Sequence, residues 1–255
     1  MKKNCYIVSS AVYTRTAPEK ALERFYQTLH TIDSINARDN NADIFILDTG
    51  SGVLPEWLLN RFQKNVSFID LSNHEKVKEI SLESKRQSQL LVQRYTLKGK
   101  SKEENSVFID HGYIKSVTES WAIQHFFEME DLSIYDKVFK ISGRYFLNED
   151  FKLENFNNKF TFKKQAENIH GVDNISSVVW CFQGKYFNEF KVKWSNTIDW
   201  MLTEWNDKYT IRDLESSIWM GFGNTEEERQ ITYINKIGVM GIVNMTDGHK
   251  KAWSQ

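Results

Sequence analysis

The feature that most constrains this chain is the alternation of elements in its first seventy residues. Cys5 to Val12 (CYIVSSAV) is an apolar, β-rich run. Thr16-Ala17-Pro18-Glu19 then marks a helix start, with Thr16 as cap, Pro18 in the first turn and Glu19 closing a T-x-x-E box. Ala21, Leu22, Phe25, Leu29, Ile32 and Ile35 recur at helical spacing as far as Ala37. Asn40-Asn41 breaks that pattern, and Ala42 to Leu47 (ADIFIL) forms a second strand ending at Asp48-Thr49-Gly50. A short helix over Pro55 to Phe62 and a third strand over Val66 to Ile69 follow. A β-α-β-α-β rhythm predicts an α/β fold: a mainly parallel sheet with helices on both faces and right-handed crossovers. It also places the ligand site beyond the carboxyl ends of the strands, where strand order reverses.

The rest of the chain continues the pattern. Residues 73 to 106 are charged and helical in character, ending in a Lys/Glu loop. Ile114 to Met129 reads as a helix from Val117, Trp121, Ile123 and Phe127. Lys137 to Leu147 (KVFKISGRYFL) is a strand running into a Gly-Arg-Tyr turn. Lys159 to Phe162, Val178 to Phe182 and Gly238 to Val243 are further strands; Thr197 to Trp205 and Ile211 to Phe222 are helices. No repeat, low-complexity linker or break in composition divides residues 1–255, which read as a single domain.

Composition narrows the function classes. At 255 residues, 40% hydrophobic and 26% charged, the chain is of ordinary globular make-up and long enough to need no disulfide or metal staple. A net charge of −1 excludes the basic footprint of a duplex-nucleic-acid binder. The two cysteines, Cys5 and Cys181, sit in apolar strand runs; they read as buried thiols in a reducing, cytoplasmic compartment, with no zinc spacing. MKKNCYIVSS is too short for a signal peptide's apolar region, and no run reaches the roughly 20 apolar residues that span a bilayer. Peripheral association with a membrane surface stays compatible with all of this. Aromatic content suits either a large core or a sugar-stacking platform. Trp180, Trp194, Trp200, Trp205 and Trp219 read mostly as core.

Three segments carry candidate chemistry. Asp48-Thr49-Gly50-Ser51-Gly52 followed by Asp70 has the spacing of a cofactor turn. Glycines let backbone approach a ligand, and an acid about twenty residues on binds ribose hydroxyls. This resembles class I S-adenosylmethionine-dependent methyltransferases, although a strand and helix precede the motif and its third glycine is missing. Lys140 to Leu147 (KISGRYFL) would place Arg144 and Tyr145 at the sheet edge, a guanidinium suited to phosphate and a phenol suited to stacking. Asp213-Leu214-Glu215 opens an apolar helix; either acid is placed to take a proton from an attacking hydroxyl, although the helix dipole alone favours acids there. Glu149-Asp150 and the Asp110-His111 pair read as solvated or satisfied groups.

Taken together, the opening strand YIVSSAVYTR, the helix with Arg24-Phe25-Tyr26-Gln27-Thr28 and Ile32-Asp33-Ser34-Ile35, the strand ADIFILDTG, the Lys115 to Glu119 segment and the strand KISGRYFLNEDF resemble a bacterial and viral group of GT-A glycosyltransferases. The resemblance spans most of residues 5 to 151, with KISGRY its most specific element. It implies a GT-A-like domain that moves a sugar from a nucleotide-sugar donor to a glycan or lipid-linked acceptor. On that basis Val12, Thr14, Arg15 and Asp48 hold base and ribose, Lys115, Glu119 and Tyr145 lie near nucleotide or sugar, and Arg144, Asp213 and Glu215 are the catalytic candidates. The family's D-x-D metal motif is absent at residues 143 to 145, where Arg144 stands. No metal ligand is therefore assigned, and a manganese or magnesium requirement stays open. A non-catalytic glycan-binding relative is the remaining alternative.

Overall fold

The computed structural model describes residues 2–14, 18–83, 86, 102–164, 175–208, 214–244 and 250–254. β1 (Cys5–Ser10), β2 (Asp43–Asp48), β3 (Val66–Asp70) and β4 (Lys137–Ser142) run parallel in the order β3-β2-β1-β4. The sheet continues through β7 (Ile175–Gln183), β6 (Phe160–Lys164) and β8 (Ile231–Ile234). β7 is antiparallel to both its neighbours and β8 is parallel to β6, so six of the seven strands share one direction. The chain builds outward from β1 to β2 and β3, then returns to add β4 on β1's other side. The order reverses at the β1/β4 seam, where Ser9 faces Ser142.

One face of the sheet packs on α4 (Lys102–Met129), α5 (Phe187–Lys208) and α6 (Leu214–Gly221). Cys5, Ile7, Val138, Trp180 and Phe182 meet Ile123, Phe126, Phe127, Phe190, Trp194 and Ile218 there. The fully buried Trp180 and Trp194 rings lie 5.2 Å apart, and the Trp194 indole N–H donates to the Ser120 carbonyl at 3.0 Å. Trp180, Trp194 and Trp219 are therefore core residues, as their apolar context suggests. On the other face, Tyr6, Val8, Ile44, Ile46, Phe139 and Cys181 pack on α1 (Ala21–Arg38) and a second, three-stranded sheet. That sheet has the order β10-β9-β5, from β5 (Tyr145–Leu147), β9 (Val239–Asn244) and β10 (Lys250–Ser254). Cys5 and Cys181 lie in the two opposite cores, and burial pushes both thiols well above their usual range.

KVFKISGRYFL is not one strand. The chain leaves the main sheet at Gly143-Arg144, and β5 pairs with β9 instead. The free edge of β5 is taken by a buried hydroxyl stripe on α1. Thr31 Oγ1 donates to the Tyr145 carbonyl at 2.6 Å, Ser34 Oγ accepts from the Leu147 N–H at 2.9 Å, and Thr28 Oγ1 lies 3.3 Å from the Gly143 carbonyl. Threonine and serine at i, i+3 and i+6 on one helix face thus take the place of a neighbouring strand. The helix itself starts at Ala21, after a 3-10 turn at Pro18–Lys20; Thr16 lies outside the described residues.

Candidate active site

A cleft of about 420 Å³ opens at the carboxyl ends of β1 to β4. Its floor is Ser9 and Ser10 of β1, Thr49 to Ser51 after β2, Ser72 after β3, and Ser142 to Arg144 after β4. One wall is the α4 face carrying Lys115, Thr118, Glu119, Ala122 and Ile123, which recur at helical spacing. Arg24 and Thr28 of α1 close it from the other side, and Val77, Lys78 and Ser81 of helix α3 (75–83) complete it.

The loops at the mouth are fixed from below by Asp48. Its side chain is 1% exposed; Oδ2 accepts the Val12 N–H at 3.0 Å and Oδ1 the Gly50 N–H at 2.9 Å. Burial raises the Asp48 carboxyl, and these two hydrogen bonds oppose the rise. Gly50 is required by closeness: a Cβ there would lie 2.8 Å from Asp48 Oδ1 and 2.9 Å from the Tyr13 carbonyl oxygen. The Ser51 N–H donates to that same carbonyl at 2.7 Å, which ties the post-β1 and post-β2 loops together. Asp48 and Val12 thus shape the mouth of the cleft from beneath. The Asp48 carboxylate is spent on backbone, and the Val12 side chain is buried among Ala21, Phe25, Leu54 and Leu58. Thr14 does line the cleft, and its buried Oγ1 has no partner among the described residues, as is true of Ser72 Oγ. Arg15 and Asp213 lie outside the described residues.

Four cations line the cleft: Arg24, Lys78, Lys115 and Arg144. Arg144 sits in the tight turn between β4 and β5, where Gly143 N–H donates to the Ser9 carbonyl at 2.8 Å. Its guanidinium has no hydrogen-bond or ion-pair partner among the described residues. Arg24 reaches the Ala11 carbonyl at 3.4 Å; burial, and then the like charge of Arg144, pulls its guanidinium below the ordinary value. Two half-withdrawn guanidiniums facing one space, with no carboxylate set between them, favour an anion. Tyr145 stands apart from the residues that line the cleft. β5 turns away from the main sheet, so its ring is buried against Gly241 of β9 and does not line the cleft.

The one carboxylate lining the cleft among the described residues is Glu119, with a side chain 12% exposed. Its Oε1 accepts from Ser9 Oγ at 2.8 Å and pairs with Lys140 Nζ. Lys140 is fully buried, on the β4 face that Val138 turns to α4. Its ammonium also donates to Ser142 Oγ at 3.0 Å and to the Ser177 carbonyl at 2.6 Å, which uses all three protons. Burial alone would raise the Glu119 carboxyl, but Lys140, Lys115 and the hydrogen bonds from Lys140 and Ser9 outweigh it and hold the group below its ordinary value. Ser177 Oγ in turn donates to Glu215 Oε1 at 2.5 Å, in the first turn of α6. Glu119 and Glu215 are therefore joined through Lys140 and Ser177.

Arg24 and Lys140 are site residues that sequence reasoning missed. A lysine inside the apolar run KVFKIS is itself the signal of a paired buried charge. Glu149-Asp150 lies elsewhere, with Asp150 paired to Lys236 at 2.8 Å. The Asp110 and His111 side chains lie outside those described. No helix among the described residues is long and apolar enough to cross a membrane.

No protein-family model matches the chain, and no curated protein matches it in sequence. Among solved structures, the chain is similar to the glycosyltransferase GlyE of Streptococcus pneumoniae TIGR4, with 12% identity, a TM-score of 0.48, and 92% of this chain aligned to 45% of that one. The apo form of GlyE gives 13% identity and a TM-score of 0.45 over 89% of this chain and 46% of that one. An active-site mutant of LgtC gives 12% identity and a TM-score of 0.48 over 91% and 72%. The chain spans less than half the length of GlyE.

Proposed function

We propose that the protein is a nucleotide-sugar-dependent glycosyltransferase acting on a glycan or lipid-linked acceptor. One observation carries the reading: a cleft at the strand-order reversal presents Arg24, Arg144, Lys115 and Lys78 around a single, internally paired carboxylate. That charge pattern suits a diphosphate. In the transfer, an acceptor hydroxyl oxygen bonds to the anomeric carbon as the bond from that carbon to the diphosphate oxygen breaks. The pair of arginines takes up the charge that develops on the departing nucleoside diphosphate. Glu215 or Asp213 receives the acceptor's proton.

The described residues do not fit the divalent ion that GT-A enzymes place on the diphosphate. Glu119 Oε1 is already occupied by Lys140 and Ser9, the other charged groups lining the cleft are cations, and no cluster of three His, Cys, Asp or Glu occurs among the described residues. We assign the neutralising role to Arg24 and Arg144. The methyltransferase alternative requires residues 5 to 12 to lie outside the core unit, whereas β1 lies between β2 and β4.

A thermal-shift screen against UDP-, GDP-, CMP- and dTDP-sugars, with manganese and with EDTA, and against S-adenosylmethionine tests this. A ligand at a hundred times its dissociation constant adds ~2.7 kcal/mol. Stabilisation by one nucleotide sugar, equal in manganese and EDTA, is the expected result. Stabilisation by S-adenosylmethionine alone overturns the reading. Loss of transfer in Arg144→Ala and Glu215→Gln with folding intact distinguishes an enzyme from a binding-only relative.

A further inference from the structure

The two contacts on Glu119 fall on the same oxygen. Ser9 Oγ and Lys140 Nζ both meet Oε1, while Oε2 has no partner among the described residues, on a side chain that lines the cleft. A buried carboxylate with one oxygen clamped and the other open is a fixed hydrogen-bond acceptor. Every other charged side chain lining the cleft among the described residues is a cation, and an anionic part of a ligand is met by those cations. A free acceptor amid cations selects a neutral group that donates protons: a hydroxyl.

We propose, resting on the glycosyltransferase reading, that Glu119 Oε2 binds a hydroxyl of the donor's sugar, and that Lys140 is the positioning residue that aims it and keeps it ionised. Lys140 is suited to this because its three donors leave the ammonium one orientation: Glu119 on α4, Ser142 on its own strand and the Ser177 carbonyl on β7. The clamp spans β1, β4, β7 and α4, so the acceptor oxygen is referenced to the sheet and not to a mobile loop. The other groups near Glu119 are Lys115 on its own helix and Tyr145 of β5, with Arg144 lining the same cleft and Glu215 beyond Ser177. Among the described charged groups, Lys140 alone touches it. Without Lys140 the carboxylate stays buried with no contact ion, and its protonation moves toward neutral pH.

The experiment compares binding of the nucleotide sugar selected by the screen above with binding of its parent nucleotide, by calorimetry. Glu119→Gln should weaken the nucleotide sugar about ten-fold, the equivalent of one good hydrogen bond to a charged acceptor, and the parent nucleotide less than about two-fold. Lys140→Met should show the same selective loss and add a pH dependence absent from the wild type. Affinity for the nucleotide sugar then falls as pH drops, because removing Lys140 raises the Glu119 carboxyl and the protonated group no longer accepts. The double variant Glu119→Gln/Lys140→Met should be flat with pH and still selectively weak. It replaces a charged pair by a neutral one, so it folds even where Lys140→Met does not. Equal losses for nucleotide sugar and parent nucleotide, or no loss in Glu119→Gln, overturn the proposal and leave the glycosyltransferase reading standing. A wild type that binds no nucleotide sugar at all overturns both.

Discussion

The hydroxyl of Thr31 donates to the carbonyl of Tyr145 at 2.6 Å, one residue beyond the arginine that faces the cleft. With Thr28 beside the Gly143 carbonyl, this bond holds the Arg144 turn to helix α1 from both sides. Helix α1 therefore sets the aim of the cleft-lining guanidinium.

Thr31→Val keeps the shape and removes that bond, leaving a buried carbonyl unpaired. The expected cost is about 1–3 kcal/mol of stability. Donor affinity should fall as well, although Thr31 touches no ligand, and denaturant unfolding paired with calorimetry reads both effects.

Arg144→Gln should leave the melting temperature unchanged, since its guanidinium has no partner among the described residues to lose. Donor affinity should fall by about 1.5–3 kcal/mol, the worth of a hydrogen bond to a charged group. Arg24→Gln should act similarly with a small loss of stability from its Ala11 contact. The double variant should lose less than the sum, because both groups serve one anion.

Asp48→Asn should destabilise the fold by about 1–3 kcal/mol, because an amide cannot accept from both the Val12 and Gly50 N–H groups without turning its own donor toward one of them. The pH dependence should change too. The folded Asp48 carboxyl is raised, so between the ordinary aspartate value and the raised one the native state holds more protons than the unfolded chain. In that window the wild type loses stability as pH rises, and this contribution should be absent from Asp48→Asn. Urea titrations of both proteins across acidic pH measure the difference.

Glu215→Gln should abolish most transfer while leaving donor binding intact, because Glu215 meets the site through Ser177 and does not line the donor cleft. A general base contributes about 10²–10⁴-fold. Transfer assays beside donor calorimetry separate the two. A matching fall in donor affinity would place Glu215 in the binding apparatus instead.

Much of this was legible in the residues. The β-α-β-α-β opening sets the strand ends along one edge, where Thr14, Lys115, Glu119 and Arg144 line one cleft. What was not legible has physical reasons. KVFKISGRYFL reads as a strand running into a Gly-Arg-Tyr turn, but nothing local says that the residues after the turn join a second sheet, which buries Tyr145. Asp48 has the residue type of a ligand contact, but nothing local says that two backbone N–H groups claim it first. Arg24 belongs to a helix pattern whose polar face is indistinguishable from a solvated one without α1's docking. β8 and β10, four and five residues long, are too short for periodicity to register.

The two thiols give the molecule a built-in pair of reporters. Cys5 and Cys181 are both free and fully buried, and each belongs to a different side of the central sheet. An alkylating reagent can reach either sulfur only when the layer covering it lifts. Mass spectrometry of the singly labelled forms would thus time the opening of the helical layer at Cys5 separately from the opening of the α1 and small-sheet layer at Cys181, and a donor that binds the cleft should slow both.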